Sequence, residues 1–525
     1  MGINLSSWQG SPGAAVPASP AEHDRFGAET PRAGMSTDRP IPAGAATLTP
    51  SPQEVNGARR HRLHVPGWSA ARVGRRNARE VGPTLALAGP VIFAEVGWVA
   101  MGVVDTVIVG RLGAEALGAI GVGATLFLAV AVFGMGMLLG LDSLVSQACG
   151  AGRRDDCHRL LAQGVYLALA VAAVLTLVVL GCSPWLGIAG VHSGIVELTI
   201  PYARTVVWSL GPLLVFTAFR RYLQATGRVL VFVFVMITAN LINVAAGCAL
   251  IFGIRGIIPP LGVAGAGWAA TVMYAYMAAV VVLYTAWIDR GSWPRRVPRP
   301  DLAVLCRLFH LGLPAAAQMA LESGIFAVAT MLAGRLDSAS LAAHQVVQTV
   351  AGLTAMMSLG ISTAATVRVG HAVGRRDPAG AAAAGRTAMA LGIGFMSASG
   401  LLFLLFPVSI LDFFTMDPAV VATGTVLLAF AAGFQVFDGL QAVATGALRG
   451  LGETRLPMVV SLLAHWVVGL PLGYYLAFHL RMGLPGLWAG MTVGLIVTGL
   501  TLSGVWRARM RSLSAWPQDA TISSS

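Results

Sequence analysis

From Pro83 onward, long apolar runs alternate with short polar connections. Each run is close to the ~20 residues that an α-helix needs to cross a bilayer. The pattern predicts twelve spans. Six fall in the first half, at 84–109, 116–141, 161–187, 199–223, 229–253 and 264–288. Six more follow at 307–333, 342–367, 384–411, 420–448, 457–480 and 485–506. Backbone surrounded by hydrocarbon must satisfy its own hydrogen bonds, so these runs read as helices of an all-α polytopic membrane protein.

The polar connections are not alike. Arg72, Arg75, Arg76 and Arg79 precede span one, Arg153, Arg154 and Arg159 follow span two, and Arg220, Arg221 and Arg228 cluster at the end of span four. Arg290, Arg295, Arg296 and Arg299 follow span six, Arg375 and Arg376 span eight, Arg449 and Arg455 span ten, and Arg507, Arg509 and Arg511 the last span. The alternate connections carry at most one each: Arg111, Arg255, Arg335 and Arg481. Basic residues accumulate on cytoplasmic loops. This alternation predicts an even number of spans in an inner membrane, with both termini cytoplasmic.

The two halves repeat one another. Pro90 to Gly110-Arg111-Leu112 matches Pro314 to Gly334-Arg335-Leu336, and Gly152-Arg153-Arg154-Asp155 returns as Gly374-Arg375-Arg376-Asp377. Gln224-Ala-Thr-Gly227 aligns with Arg449-Gly-Leu-Gly452, and the Gly262 to Trp268 stretch echoes Gly483 to Trp488. Six spans per copy start both copies on the same face, the arrangement of parallel repeats in transporters that rock around a midplane site. The predicted organisation is a disordered cytoplasmic tail at 1–81, six-helix lobes at 82–290 and 307–508 joined by a cytoplasmic linker at 291–306, and a tail at 509–525.

Composition agrees. The chain has 525 residues, 56% of them hydrophobic and only 11% charged, against roughly 25% charged in soluble domains. Its net charge of +12 comes entirely from arginine, there being no lysine. The arginines sit between the apolar runs, so they report membrane orientation and not nucleic-acid binding. Cys149, Cys157, Cys182, Cys248 and Cys306 stand singly, without metal-ligand spacing, and read as small apolar fillers. The tail before span one is rich in Pro, Gly, Ala and Ser and has no signal-peptide core; Met35 is an alternative start.

The candidate chemistry lies in acids placed inside the spans: Glu95 and Asp105 in span one, Glu322 in span seven and Asp438 in span ten. Such a carboxylate costs about 2.5–3.5 kcal/mol unless a cation, a polar cavity or a proton compensates. Glu322 and Asp438 share one repeat, with no arginine at comparable depth, since Arg368 and Arg386 lie at the cytoplasmic edge. Such a pair suits a proton or a small hard cation such as Na⁺, for which Glu322 and Asp438 would be the ligands. Asp105 lies near the outer end of its span. Glu95, near mid-span, is either a second protonatable site or a buried structural acid, and Arg204 is a possible counter-ion for one of these acids or an interfacial residue.

Neutral residues extend the pattern, and Gln318, Gln435, Phe434 and Asn243, with Glu95, are the candidate lining of a substrate cavity. Gln318 is one turn before Glu322, and Gln435 and Gln441 flank Asp438 at three residues on either side. Asn240 and Asn243 suit interhelical hydrogen bonds. His344 reads as a helix cap or a titratable group, and His465 as a satisfied interior histidine. Phe434, Phe437, Met356 and Met357 are candidates for an apolar pocket around drug-like organic cations.

No enzyme constellation is present: G-x-x-x-x-G-K-[ST] requires lysine, and neither H-E-x-x-H nor G-x-S-x-G occurs. No cofactor is expected. Energy must come from an ion gradient or a partner. A flippase for lipid-linked precursors would carry more spans or an arginine-lined cavity, and a channel would place its acids in a ring about a pore.

The stretches Met101-Gly-Val-Val-Asp-Thr-Val-Ile-Val-Gly110, Ser146-Gln-Ala-Cys-Gly-Ala151, Leu341-Ala-Ala-His-Gln-Val346, Gly360 to Gly370 and Gln435-Val-Phe-Asp-Gly-Leu-Gln441 resemble the multidrug and toxic compound extrusion (MATE) family. The resemblance runs from about residue 82 to 508 and is closest to the NorM-type bacterial branch. It implies two lobes forming a V around a central cavity, and a monomer exporting cationic, lipophilic small molecules against H⁺ or Na⁺. By position, the family's acids on spans one, seven and ten fall on Asp105, Glu322 and Asp438. Where the family often has a second polar residue four positions after Asn243, this chain has Gly247. That departure favours a coupling site in the second lobe.

Overall fold

The computed structural model describes residues 70–182, 193–290 and 298–514. Most of the predicted tail, Met35, Arg295 and Arg296 lie outside the described residues, as do the side chains of Arg72, Arg75 and Cys182. Among the described residues, twelve helices are long and apolar enough to cross a membrane.

The first repeat contains α1 (Ala70–Gly110), α2 (Ala114–Met137), α3 (Gly140–Gly150), α4 (Arg154–Cys182), α5 (Ser193–Val206), α6 (Leu210–Ala225), α7 (Leu230–Ile251) and α8 (Gly262–Ile288). The second contains α9 (Leu302–Ala333), α10 (Ser338–Gly374), α11 (Pro378–Leu405), α12 (Pro407–Asp412), α13 (Pro418–Gly450), α14 (Arg455–Ser461), α15 (Leu470–Tyr474) and α16 (Leu484–Ser514). Two π-helical segments, Leu462–Gly469 and Tyr475–His479, interrupt span eleven.

Four helices of the second repeat, α9, α10, α11 and α13, start on aspartate caps. Asp301 accepts from the amides of Ala303 and Val304, Asp337 from Ser340, Asp377 from Gly380 and Asp417 from Ala419, satisfying amides that helix geometry leaves open. The Val304 amide, then Arg159 and the Ala303 amide, hold the Asp301 carboxyl below its usual range. Proline in the first turn of α11 and α13 fits the same logic, because its missing N–H would have no partner there.

One buried apolar cluster fills the first repeat, from Val91 to Leu308. A second joins Ala329 to Leu495, and a third joins α10, α11, α13 and α16 to Ala88 of α1. Span one therefore belongs to both repeats. Its N-terminal end is tied to the second, where Arg368 Nε and Nη2 donate to Glu80 Oε2 at 3.0 and 2.6 Å and Arg76 Nη2 to Asp377 Oδ2 at 2.6 Å. Its C-terminal half packs on α7, where Asp105 accepts from Asn243.

The repeats also meet directly along α3, α9 and α10. A Cβ on Gly312 would fall 2.0 Å from the Met137 carbonyl oxygen, and one on Gly150 would fall 2.3 Å from that of His371. Only glycine permits helix backbones to approach so closely.

Candidate cation-coupling site

Glu322 projects from the middle of α9 toward α13 and span eleven. Three neutral donors converge on its Oε1: Gln441 Nε2 at 2.7 Å, Gln318 Nε2 at 3.0 Å and Ser461 Oγ at 3.1 Å. Gln318 also reaches Thr445 Oγ1 at 3.4 Å. The expected one-turn pairing of Gln318 with Glu322 is thus realised, and Gln441 serves Glu322 and not its sequence neighbour Asp438.

Glu322, Asp438, Gln441 and His465 line one chamber of about 50 Å³ with Ile325, Phe326, Phe434, Met491 and Leu495. A water molecule occupies ~30 Å³ in the liquid, so in this conformation the chamber suits an ion or water and not a drug-sized molecule. Phe326 and Phe434 meet edge to face, with centroids 6.2 Å apart. No arginine lines the chamber. Among the described residues, no three His, Cys, Asp or Glu side chains converge as a metal-binding group; a cation here would draw further oxygens from the neighbouring amides and hydroxyl.

Several expectations need correction. Gln435 is fully buried, donates to Thr354 Oγ1 and lies outside the chamber, because the six residues separating it from Gln441 turn the two about 120° apart around the helix. Phe437, Met356 and Met357 do not line it either. His344 does not cap α10, a role taken by Asp337. It lies fully buried between Thr330 and Trp488, whose indole N–H donates to His344 Nδ1 at 3.1 Å. His465 is the satisfied interior histidine expected: it is buried, donates from Nδ1 to the Ser461 carbonyl at 3.1 Å, and also faces the chamber.

The first repeat treats its acids differently. Arg220 and Arg221, expected at a cytoplasmic helix end, lie inside because span four runs on to Ala225. Arg220 Nη2 donates to Glu95 Oε1, so Glu95 is a paired acid. Arg204 is exposed and is not its counter-ion. Arg221 lies 3.5 Å from Asp142, a 2% exposed acid that sequence reasoning missed by ending span two at residue 141, whereas the span runs on to Gly150. Arg449, placed by the pattern beyond span ten, is still within α13, and its charge acts on Asp142 and Glu322.

Asp105 is exposed along α1 and accepts from Asn243 Nδ2 at 2.6 Å. Asn240 bonds the carbonyls of Gly97 and Met236 instead, as interhelical glue. Gly247 marks where α7 receives Ile108: a Cβ there would sit 3.2 Å from Ile108 Cδ1. Packing thus accounts for the missing second polar group.

Two cysteines depart from isolation. Cys149 and Cys157, both free, have their sulfurs 2.9 Å apart where α3 turns into α4. Nearby, Asp289 receives Tyr222 at 2.8 Å and Arg228 at 2.7 Å, with His158 at 3.3 Å. Burial alone would raise the Asp289 carboxyl, but the Arg228 and Tyr222 bonds outweigh it and hold the group below its usual range.

The MatE family model matches the chain twice, over residues 90–248 and 314–475. The chain belongs to the MatE family. One match per half is what two copies of a six-span unit require, and the resemblance carried by the Asp105, His344 and Asp438 stretches is borne out. The probable multidrug resistance protein NorM of Mesorhizobium japonicum is 35% identical over 455 residues, covering 82% of this chain and 95% of that one. The multidrug resistance protein MdtK of Pectobacterium atrosepticum is 34% identical over 430 residues, covering 79% and 93%. The solved structure of the eukaryotic MATE transporter AtDTX14 superposes with a TM-score of 0.75 at 23% identity, covering 83% of this chain and 99% of that one. It shares the MatE fold of twelve spans in two repeats.

Proposed function

We propose that this MatE protein is a secondary antiporter of the inner membrane. It exports cationic, lipophilic small molecules as H⁺ or Na⁺ enters the Glu322–Asp438 chamber. The observation that carries this reading is the chamber itself: two carboxylates from the first and fourth spans of one repeat, with neutral donors on Glu322 and no arginine among the lining side chains. An arginine would neutralise the pair permanently. Amides and a hydroxyl orient a carboxylate without doing so, and leave its charge for an exchangeable cation.

The two six-span lobes rock against one another, and alternating access follows from parting the contacts between α3 and α10. Those contacts lie at the arginine-rich ends of their helices, the side we assign to the cytoplasm together with both termini. Asp105 with Asn243 forms an auxiliary polar position in the first lobe. Phe326 and Phe434 supply an aromatic wall for an organic cation once the chamber widens. The names of the NorM and MdtK relatives agree with drug export.

The test is transport of a fluorescent organic cation in everted vesicles, with a Na⁺ gradient and a pH gradient imposed separately. Uphill transport under one of them is expected. Downhill leakage under both would refute the antiporter.

A further inference from the structure

We propose that Ser461 and His465 are positioning residues of this coupling site, holding the Glu322 carboxylate in the orientation in which it meets the coupling cation. The proposal rests on the role given to Glu322 above. Span eleven is α-helical through Ser461 and π-helical from Leu462 to Gly469. A π-helical turn is rare and frequently accompanies a functional site. Here the change of geometry begins directly after the residue that touches Glu322.

Three adjoining contacts show what the widened turn does. Ser461, fully buried, donates from Oγ to Glu322 Oε1 at 3.1 Å. His465 donates from Nδ1 to the Ser461 carbonyl at 3.1 Å, tying the imidazole to the turn that carries the hydroxyl. Trp466 donates from Nε1 to the Leu321 carbonyl at 3.2 Å, and its ring lies 3.1 Å from where a Gly324 Cβ would stand. Span eleven thus grips α9 on both sides of Glu322.

With Gln318, Gln441 and Ser461 all on Oε1, no described side chain donates to Oε2. The carboxylate is held by one oxygen and offers the other. The remaining groups of the chamber bear on this directly. Asp438 is the charged group contributed by α13, His465 the titratable group of span eleven, and α16 contributes only Met491 and Leu495. Ser461 supplies a hydroxyl without charge, so it orients the carboxylate and leaves its charge in place.

The experiment measures ethidium efflux by the full-length protein in everted vesicles as a function of coupling-ion concentration. Ser461→Ala removes the donor and Ser461→Thr keeps a hydroxyl. His465→Leu removes the tether, and His465→Asn keeps an N–H near the Nδ1 position. Losing one such bond is expected to move the half-saturating ion concentration by about fivefold in the Ala and Leu variants, more than it changes the maximal rate. The Thr and Asn variants should stay within about twofold of the wild type. A wild-type profile in both Ser461→Ala and His465→Leu, or equal shifts in Ser461→Ala and Ser461→Thr, would overturn the proposal. Should Ser461→Ala fail to reach the membrane, the His465 pair decides. Efflux surviving in Glu322→Gln would defeat the underlying coupling role instead, so the two failures are distinguishable.

Discussion

The two repeats share a scaffold and differ in how they compensate buried acids. In the first, Glu95 and Asp142 face Arg220 and Arg221 from the end of span four. In the second, Glu322 faces Gln318, Gln441 and Ser461, and Asp438 shares its chamber. An acid paired with arginine is a finished structural unit: removing either partner strands a charge. An acid held by neutral donors keeps its capacity for a mobile cation. The comparison separates structural from functional carboxylates where burial alone cannot, since Glu95, Glu322 and Asp438 are all half-buried.

Four experiments would break or sharpen this contrast. The largest effect is expected in the chamber. Glu322→Gln and Asp438→Asn should each reduce efflux to the level of vesicles lacking the protein, while the chain still reaches the membrane; near-normal efflux in both would remove the second repeat from coupling. Next, Arg220→Gln should destabilise the protein by about 3 kcal/mol by stranding Glu95. Glu95→Gln combined with Arg220→Gln should recover most of the loss in a thermal unfolding assay and retain efflux. Absence of that recovery would argue that Glu95 does more than pair. Asp105→Asn should slow efflux about fivefold or less, the scale of one hydrogen bond, without abolishing it.

The smallest effect concerns Asp289 at the C-terminal end of α8. Its carboxyl is held below its usual range by Arg228 and Tyr222 despite its burial. The sign follows from linkage: this contribution is present above the ordinary aspartate value of about 3.9 and is lost as pH falls through the lower folded value. Unfolding temperature should therefore drop more steeply below about pH 4 in the wild type than in Asp289→Asn. Parallel slopes would show that Asp289 contributes nothing to acid sensitivity.

The hydrophobic pattern was sufficient for the twelve spans, and the recurring Gly-Arg-Arg-Asp and Gly-Arg-Leu signatures for the repeat. Both follow from period and length, which are properties of the chain read in one dimension. Glu322 and Asp438 were visible as rare charges in apolar runs, and Gln318 because one helical turn separates it from Glu322. Span ends were less legible. Helices that run past the apolar region into polar ends hid Asp142 and made Arg220 and Arg221 look like markers of a cytoplasmic helix end instead of partners for buried acids.

Only the tertiary structure decided which acid meets which partner, because those contacts join residues far apart in sequence: Glu95 to Arg220, Asp105 to Asn243, and Glu322 to Gln441 and Ser461. Ser461 and His465 stand four apart in an apolar span, a face that sequence could flag, but their target on α9 could not be read from it. Hydropathy tells where a charge is costly. Packing decides whether an arginine, an amide or an exchangeable cation offsets that cost.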